Sequence, residues 1–130
     1  DGSPGLAEQA EERLGVPVRV MRFDELEGDG TFDAVWANAC LLHVPELGLA
    51  DILGRVRRAL RPGGLFFASY KGGEGGGRDS LGRYNNFPTR ETLMAAYAQA
   101  APWRRIDVES QLGGGYDGVE RTWMLVTARA

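Results

Sequence analysis

The chain has a single cysteine, Cys40, a single histidine, His43, and a single lysine, Lys71. One cysteine cannot build a disulfide framework, and one cysteine with one histidine offers too few soft ligands for a zinc site, so no metal is expected. Long apolar runs are absent as well. None approaches a membrane span, and the apolar stretch nearest the start is too short and too polar for a signal peptide, which points to a cytoplasmic protein with no membrane partner. Net charge is −3, and fourteen of the fifteen basic residues are arginines scattered along the chain, which leaves no basic footprint for nucleic acid. Internal repeats and linkers are missing too, and 130 residues allow one domain at most.

Glycine is abundant, with 19 residues concentrated in KGGEGGG (71–77) and LGGGYDG (112–118), which read as loops. Between them, apolar spacing sets out the elements. Ser3 is placed to cap a helix with Pro4 in its first turn, and Leu6, Ala7, Ala10 and Leu14 recur at helical intervals until Gly15. VPVRVMRF (16–23) alternates apolar and basic residues as a strand does. FDAVWANA (32–39) begins as a strand and gives way at Ala37 and Asn38 to a platform of small residues. From Pro45, the spacing of Leu49, Ile52, Leu53, Val56 and Leu60 marks an amphipathic helix. Arg57, Arg58 and Arg61 suit its negative end, and Pro62-Gly63-Gly64 closes it. Residues 65–70 read as a buried strand. After the long glycine-rich loop, Thr89 caps a helix carrying Leu93, Met94, Ala96, Tyr97 and Ala100, which Pro102 ends. Residues 104–111 and 122–128 alternate as an antiparallel hairpin about GGGYDG. Trp36, Trp103 and Trp123 are expected as core or packing residues, and Cys40 as a buried small hydrophobe.

Strands alternating with crossover helices and then a hairpin imply an α/β, Rossmann-like fold. Its sheet is mostly parallel, with helices on both faces and a C-terminal antiparallel β-hairpin. Ligands of such sheets lie at the carboxyl ends of the strands, which directs attention to residues 1–3, 23–25, 37–43 and 70–77.

Taken in order, DGSP before a helix, RFDEL, FDAVWANACLLHVP and LRPGGLFFASYK resemble the class I S-adenosylmethionine-dependent methyltransferases. KGGEGGGRDSLGRYNNFPT and ERTWMLV are similar to a small bacterial branch related to the tellurite-resistance methyltransferases. The resemblance implies S-adenosyl-L-methionine as cofactor and a small-molecule acceptor methylated by direct in-line displacement. It makes Asp1 the ligand of the ribose hydroxyls, with Gly2 and Ser3 beside the adenosine, and sets Arg22, Phe23 and Asp24 around the adenine. Ala37, Asn38 and Ala39 then lie near the methionine part, and Leu42 and His43 face the acceptor. The family's first strand and its glycine-rich turn have no counterpart here, and GGEGGG, which follows the fifth family strand, does not replace them. The expectation is one methyltransferase-like domain over 1–130 that is the C-terminal portion of a longer domain, lacks its first strand, and is inactive alone.

Alternatives stand beside these roles. His43 reads as a general base or equally as a structural histidine at a helix start. Arg22 suits a solvated strand end, and Asn38 suits an ordinary turn. Lys71, Arg83, Tyr84 and Arg121 are candidates for binding a polar or anionic acceptor from a long loop at the sheet's edge. Two other functions remain open: a noncatalytic methyltransferase-like domain acting through a partner surface, and another nucleotide-binding α/β domain.

Overall fold

The computed structural model describes residues 1–115 and 118–130, so Tyr116 and Asp117, in the middle of the expected terminal turn, lie outside the described residues. Chain order begins with helix α1 (Pro4–Leu14), followed by strand β1 (Phe32–Ala37), helix α2 (Glu46–Ala59) and strand β2 (Leu60–Lys71). Short strands β3 (Gly76–Arg78) and β4 (Tyr84–Asn86), helix α3 (Arg90–Ala100) and strands β5 (Arg105–Gly113) and β6 (Arg121–Arg129) complete it. Single 3-10 turns stand at Phe23–Glu25 and Leu41–His43.

The caps fall where their residue types require. The Ser3 hydroxyl accepts from the Leu6 amide at 3.4 Å, and Gly15, at φ 67°, turns the end of α1 in the left-handed conformation that glycine adopts without cost. The Thr89 side chain accepts from Thr92 at 3.2 Å and starts α3. Helix α2 buries Leu49, Ile52, Leu53 and Val56 against Leu93 and Tyr97 of α3, against Phe66, Ala68 and Tyr70 of β2, and against Met124 and Val126 of β6. This cluster is the core, and both helices lie on the same face of the sheet.

The sheet order is β1-β2-β6-β5, with β1 and β2 parallel and the other two pairings antiparallel. The Rossmann-like α/β class therefore holds, and the parallel part among the described residues is the β1–β2 pair. The reason is the fate of residues 16–23, which are not a strand. Among the described residues they gain one link of a parallel ladder: the Asp1 nitrogen donates to the Arg19 carbonyl at 3.0 Å, and the Met21 amide donates to the Asp1 carbonyl at 2.9 Å. A strand needs a partner along its length, and here the partner is one residue long. Helix α1 buries only Ala7, makes no extensive contact with any strand, and leaves Leu6 and Leu14 exposed.

Two further expectations change. Arg61–Gly64 does not end the helix as a separate turn but forms a bulge within β2: Phe32 pairs with Leu60 and Ala34 with Leu65, so β2 carries extra residues between those pairs. The bulge is clamped from β6, since Gly63 N–H donates to the Ala130 carbonyl and Ala130 N–H to the Gly64 carbonyl, each at 2.9 Å. A side chain at Gly64 would meet the Arg61 and Asp33 carbonyls at 3.0 and 3.1 Å, which is why glycine is needed there. Trp36 is not a core residue. It is 72 % exposed, stacked on Phe67 with centroids 3.9 Å apart, on the sheet face opposite the helices, beside the partly exposed Phe32 and Leu65. Trp103 does pack on the core, against Phe66 and Tyr97.

Candidate functional site

Register brings most of the expected site residues to one end of the sheet. Ala37 pairs with Ala68, so the carboxyl ends of β1 and β2 lie together, and Lys71 pairs with Trp123 of the antiparallel β6. The amino end of β6, with Arg121, thereby reaches the same edge, where the Gly72 amide donates to the Thr122 carbonyl at 2.7 Å. Asn38, Ala39, Leu42, His43, Lys71 and Arg121 are thus gathered by topology.

The turn after β1 is held from β2. Ser69 is 1 % exposed, and its hydroxyl accepts from the Ala39 amide at 2.8 Å while donating to Asn38 Oδ1 at 2.7 Å. Ala39 has φ 51°, a conformation that costs an L-residue about 1–2 kcal/mol. Strain of this kind persists only where neighbours over-determine the backbone, as Ser69 does here. Cys40 follows, half-buried, and burial raises its thiol pKa above the ordinary value. Leu42 is buried, so it supports this turn as a packing residue.

The long glycine-rich segment, expected as a loop without structure, forms the β3–β4 hairpin and folds back onto the Leu41–His43 turn. The link is specific: His43 Nδ1 lies 2.7 Å from the Tyr84 carbonyl oxygen. A carbonyl only accepts, so Nδ1 carries the proton, and in the neutral ring Nε2 keeps its lone pair. The hairpin's own bend is tied by Asp79, whose carboxylate accepts from the Leu81 and Arg83 amides at 3.0 Å each and pairs with the Arg83 guanidinium at 2.7 Å. That guanidinium is the main reason the Asp79 carboxyl titrates well below the usual carboxylate range. Arg83 is thereby a structural partner of Asp79. Tyr84 lies over the Gly76 backbone, where any side chain would overlap its hydroxyl. Asn85 and Asn86 are buried, and Asn86 Oδ1 has no hydrogen-bond partner among the described residues.

Lys71 is 5 % exposed with its ammonium 5.8 Å from the Trp123 ring centre, and the Arg121 guanidinium lies 4.6 Å from the centre of the Phe87 ring. Both cations rest on aromatic faces. The amino-terminal candidates form a second group. Asp1 is exposed, with Oδ1 accepting from the Ser3 amide at 2.8 Å, and Gly2 lies beside the Met21 carbonyl. Arg22 makes a two-pronged bond to Asp24, at 3.0 and 2.8 Å, and its amide donates to Glu25 at 2.8 Å, while Phe23 remains partly exposed. A nearby hollow of about 380 Å³, lined by Pro4, Ala7, Glu8, Val18 and Val20 among others, contains none of these candidates and reflects the loose seating of α1.

Sequence reasoning placed Asp79 on the long loop at the sheet's edge but missed the tie it makes there, and it missed Ser69 and the two buried asparagines. A serine inside the apolar run FFASYK was the one visible signal for Ser69, whereas Asp79 and Asn85 look like ordinary loop residues until the hairpin closes. Among the described residues there is no group of three side chains suited to a metal, and no helix is long and apolar enough to cross a membrane.

Residues 1–64 match a family model described as a methyltransferase domain. No curated protein sequence matches the chain. Among solved structures, a SAM-dependent methyltransferase from Methanosarcina mazei aligns with 99 % of this chain and 79 % of its own, at 18 % identity and a TM-score of 0.80. The Burkholderia thailandensis 1,6-didemethyltoxoflavin-N1-methyltransferase, with 1,6-didemethyltoxoflavin and S-adenosylhomocysteine bound, is 26 % identical over 97 % of this chain and 56 % of its own, at a TM-score of 0.68. A SAM-dependent methyltransferase from Thermotoga maritima, a possible histamine N-methyltransferase, is 19 % identical over 99 % of this chain and 70 % of its own, at a TM-score of 0.71. The chain spans between about a third and four-fifths of the length of such structures. Its fold is that of these solved SAM-dependent methyltransferases, and residues 1–64 match the model of a methyltransferase domain.

Proposed function

We propose that the chain belongs to an enzyme that uses S-adenosyl-L-methionine to methylate a small-molecule acceptor by direct in-line displacement. The observation that carries this reading is the convergence of the Asn38–Ala39 turn, His43 and the β3–β4 hairpin at the carboxyl ends of β1 and β2, where ligands of such sheets bind. A similar protein that holds both S-adenosylhomocysteine and a small molecule supports the acceptor class. The likeness of residues 71–89 to the branch related to tellurite-resistance methyltransferases supports a relationship to that branch on this reading.

The donors and acceptors present fit the cofactor. Asp1 has one carboxylate oxygen engaged by Ser3 and is exposed, so it accepts from vicinal hydroxyls as the ribose-binding acid of dinucleotide folds does. The cofactor, when bound, supplies a methyl group already activated on a sulfonium, so the protein's part is mainly placement. His43 presents Nε2 as a proton acceptor to the acceptor's nucleophilic atom, and the hairpin that fixes its ring covers the same edge. Lys71, Tyr84 and Arg121 give that edge a cationic and hydrogen-bonding lining suited to a polar acceptor.

The complete domain is larger on this reading. Among the described residues the outer edge of β1 has no neighbour in the sheet order, residues 16–21 have one ladder link, and Trp36 on β1 stands exposed. A further strand between β1 and the segment around Asp1 would pair both edges and supply the glycine-rich turn that the chain lacks.

Titration calorimetry of the intact protein with S-adenosylhomocysteine tests the function. Binding is expected, and Asp1→Ala should weaken it by ~10- to 100-fold, in line with a charge-assisted hydrogen bond. Absence of heat and of a thermal shift in the intact protein would overturn the enzyme reading; unchanged affinity in the variant would overturn the role of Asp1.

A further inference from the structure

Ser69 has no role of its own in the motifs above, yet from β2 its hydroxyl donates into the turn following β1. Its hydroxyl has one proton to give. The Ala39 N–H can only donate, and it donates to Ser69 Oγ at 2.8 Å. The hydroxyl proton is therefore directed to Asn38, whose near atom at 2.7 Å must be the amide oxygen. Were the amide reversed, its N–H would also point at Ser69, and the serine proton would be left without an acceptor at a site 1 % exposed. The chain of donors thus determines which way the Asn38 amide faces. The strained Ala39, at φ 51°, is part of the same arrangement, because its amide reaches Ser69 from that conformation.

We propose that Ser69 is a positioning residue that locks Asn38 with its two Nδ2 protons facing outward, and that this donor-only surface selects the carboxylate of the bound cofactor's amino-acid portion. The inference rests on the methyltransferase reading and deepens it. Asn38 is exposed, so Nδ2 is open to a ligand at the strand end. A pair of fixed N–H donors favours an anionic oxygen and disfavours an ammonium, which also donates. Of the two charged groups on the amino-acid portion, only the carboxylate complements it.

Two probes separate this from a general effect on the site: S-adenosylhomocysteine, which carries the amino-acid portion, and 5′-methylthioadenosine, which lacks it. Asn38→Asp keeps an oxygen for the Ser69 proton and turns the outward donors into a second oxygen, so the turn is retained while the carboxylate is repelled. Calorimetry on the intact protein should show S-adenosylhomocysteine weakened by about tenfold or more and 5′-methylthioadenosine by less than about twofold. Ser69→Ala should weaken the first probe alone, by a smaller factor. In the ligand-free protein it should also shift the Asn38 side-chain amide resonances, because the amide oxygen loses the Ser69 proton. Equal weakening of both probes by Asn38→Asp would overturn the carboxylate assignment, and unchanged Asn38 resonances in Ser69→Ala would overturn the lock. Wild-type protein that binds neither probe would overturn the methyltransferase reading itself, whereas wild-type binding with Asn38→Asp unaffected would overturn only the present inference.

Discussion

Tyr70 and Tyr97 meet in the core with their hydroxyl oxygens 3.1 Å apart, and each is at most 1 % exposed. Burial pushes both phenols above their ordinary range, so each remains neutral and each is the other's partner. Replacing one partner of such a pair leaves the other buried and unsatisfied, whereas replacing both removes the demand. Tyr70→Phe and Tyr97→Phe should each lower unfolding stability by ~1–2 kcal/mol, and the double variant should lose less than their sum. Urea unfolding of the four proteins measures the coupling, and strict additivity would show that the hydroxyls do not depend on one another. The sequence placed Tyr97 on the buried face of its helix and Tyr70 in a buried strand. What it could not show was their meeting, because that depends on how α3 seats on β2. Ser69 and Asn38 are the same case at the site: thirty-one residues apart in sequence, they become partners through the β1–β2 register.

At the scale of elements, local chemistry was readable and long-range pairing was not. Ser3, Gly15 and Thr89 cap helices through bonds within four residues, so the residue types alone announce them. Residues 16–23 have the alternation of a strand, but a strand also requires a neighbour, and alternation carries no information about whether one is present. The β3–β4 hairpin was hidden for another reason: its stability comes from Asp79 gathering two amides and a guanidinium, an arrangement invisible as glycine-rich sequence. That tie has a defined acid limit. The folded carboxyl titrates below its unfolded value of about 4, so its contribution is complete above that pH and is lost as the pH falls toward the lower folded value. The Leu81 and Arg83 amide resonances should therefore hold their positions from pH 7 down to about 4 and move only below it. In Asp79→Asn, which lacks the charge, those resonances should be displaced at neutral pH and show no transition in acid. A wild-type transition at the ordinary carboxylate value would mean that Arg83 does not hold Asp79 in solution.

The whole molecule is finished on one side and open on the other. Helices α2 and α3 seal the face that carries Phe66, Tyr70 and Val126, while the opposite face leaves Phe32, Leu65 and Trp36 exposed at 41 %, 41 % and 72 %. Among the described residues the adjoining edge of β1 also presents backbone groups with no strand beside them. An apolar face next to a free strand edge is a template for pairing with another chain, and this one carries no proline or lysine to blunt it. The 130-residue chain by itself should accordingly associate as its concentration rises. Trp36→Lys should suppress that association with little effect on the far-ultraviolet circular dichroism, because the side chain is largely outside the fold and its loss removes one ring contact, with Phe67. Sedimentation velocity at several concentrations reads the difference directly. If both proteins sediment as monomers throughout, the open face is not an adhesive surface, and a further strand would gain little by pairing against β1. If the wild-type chain associates and the variant does not, the same edge is the place where pairing by that strand should restore a monomer.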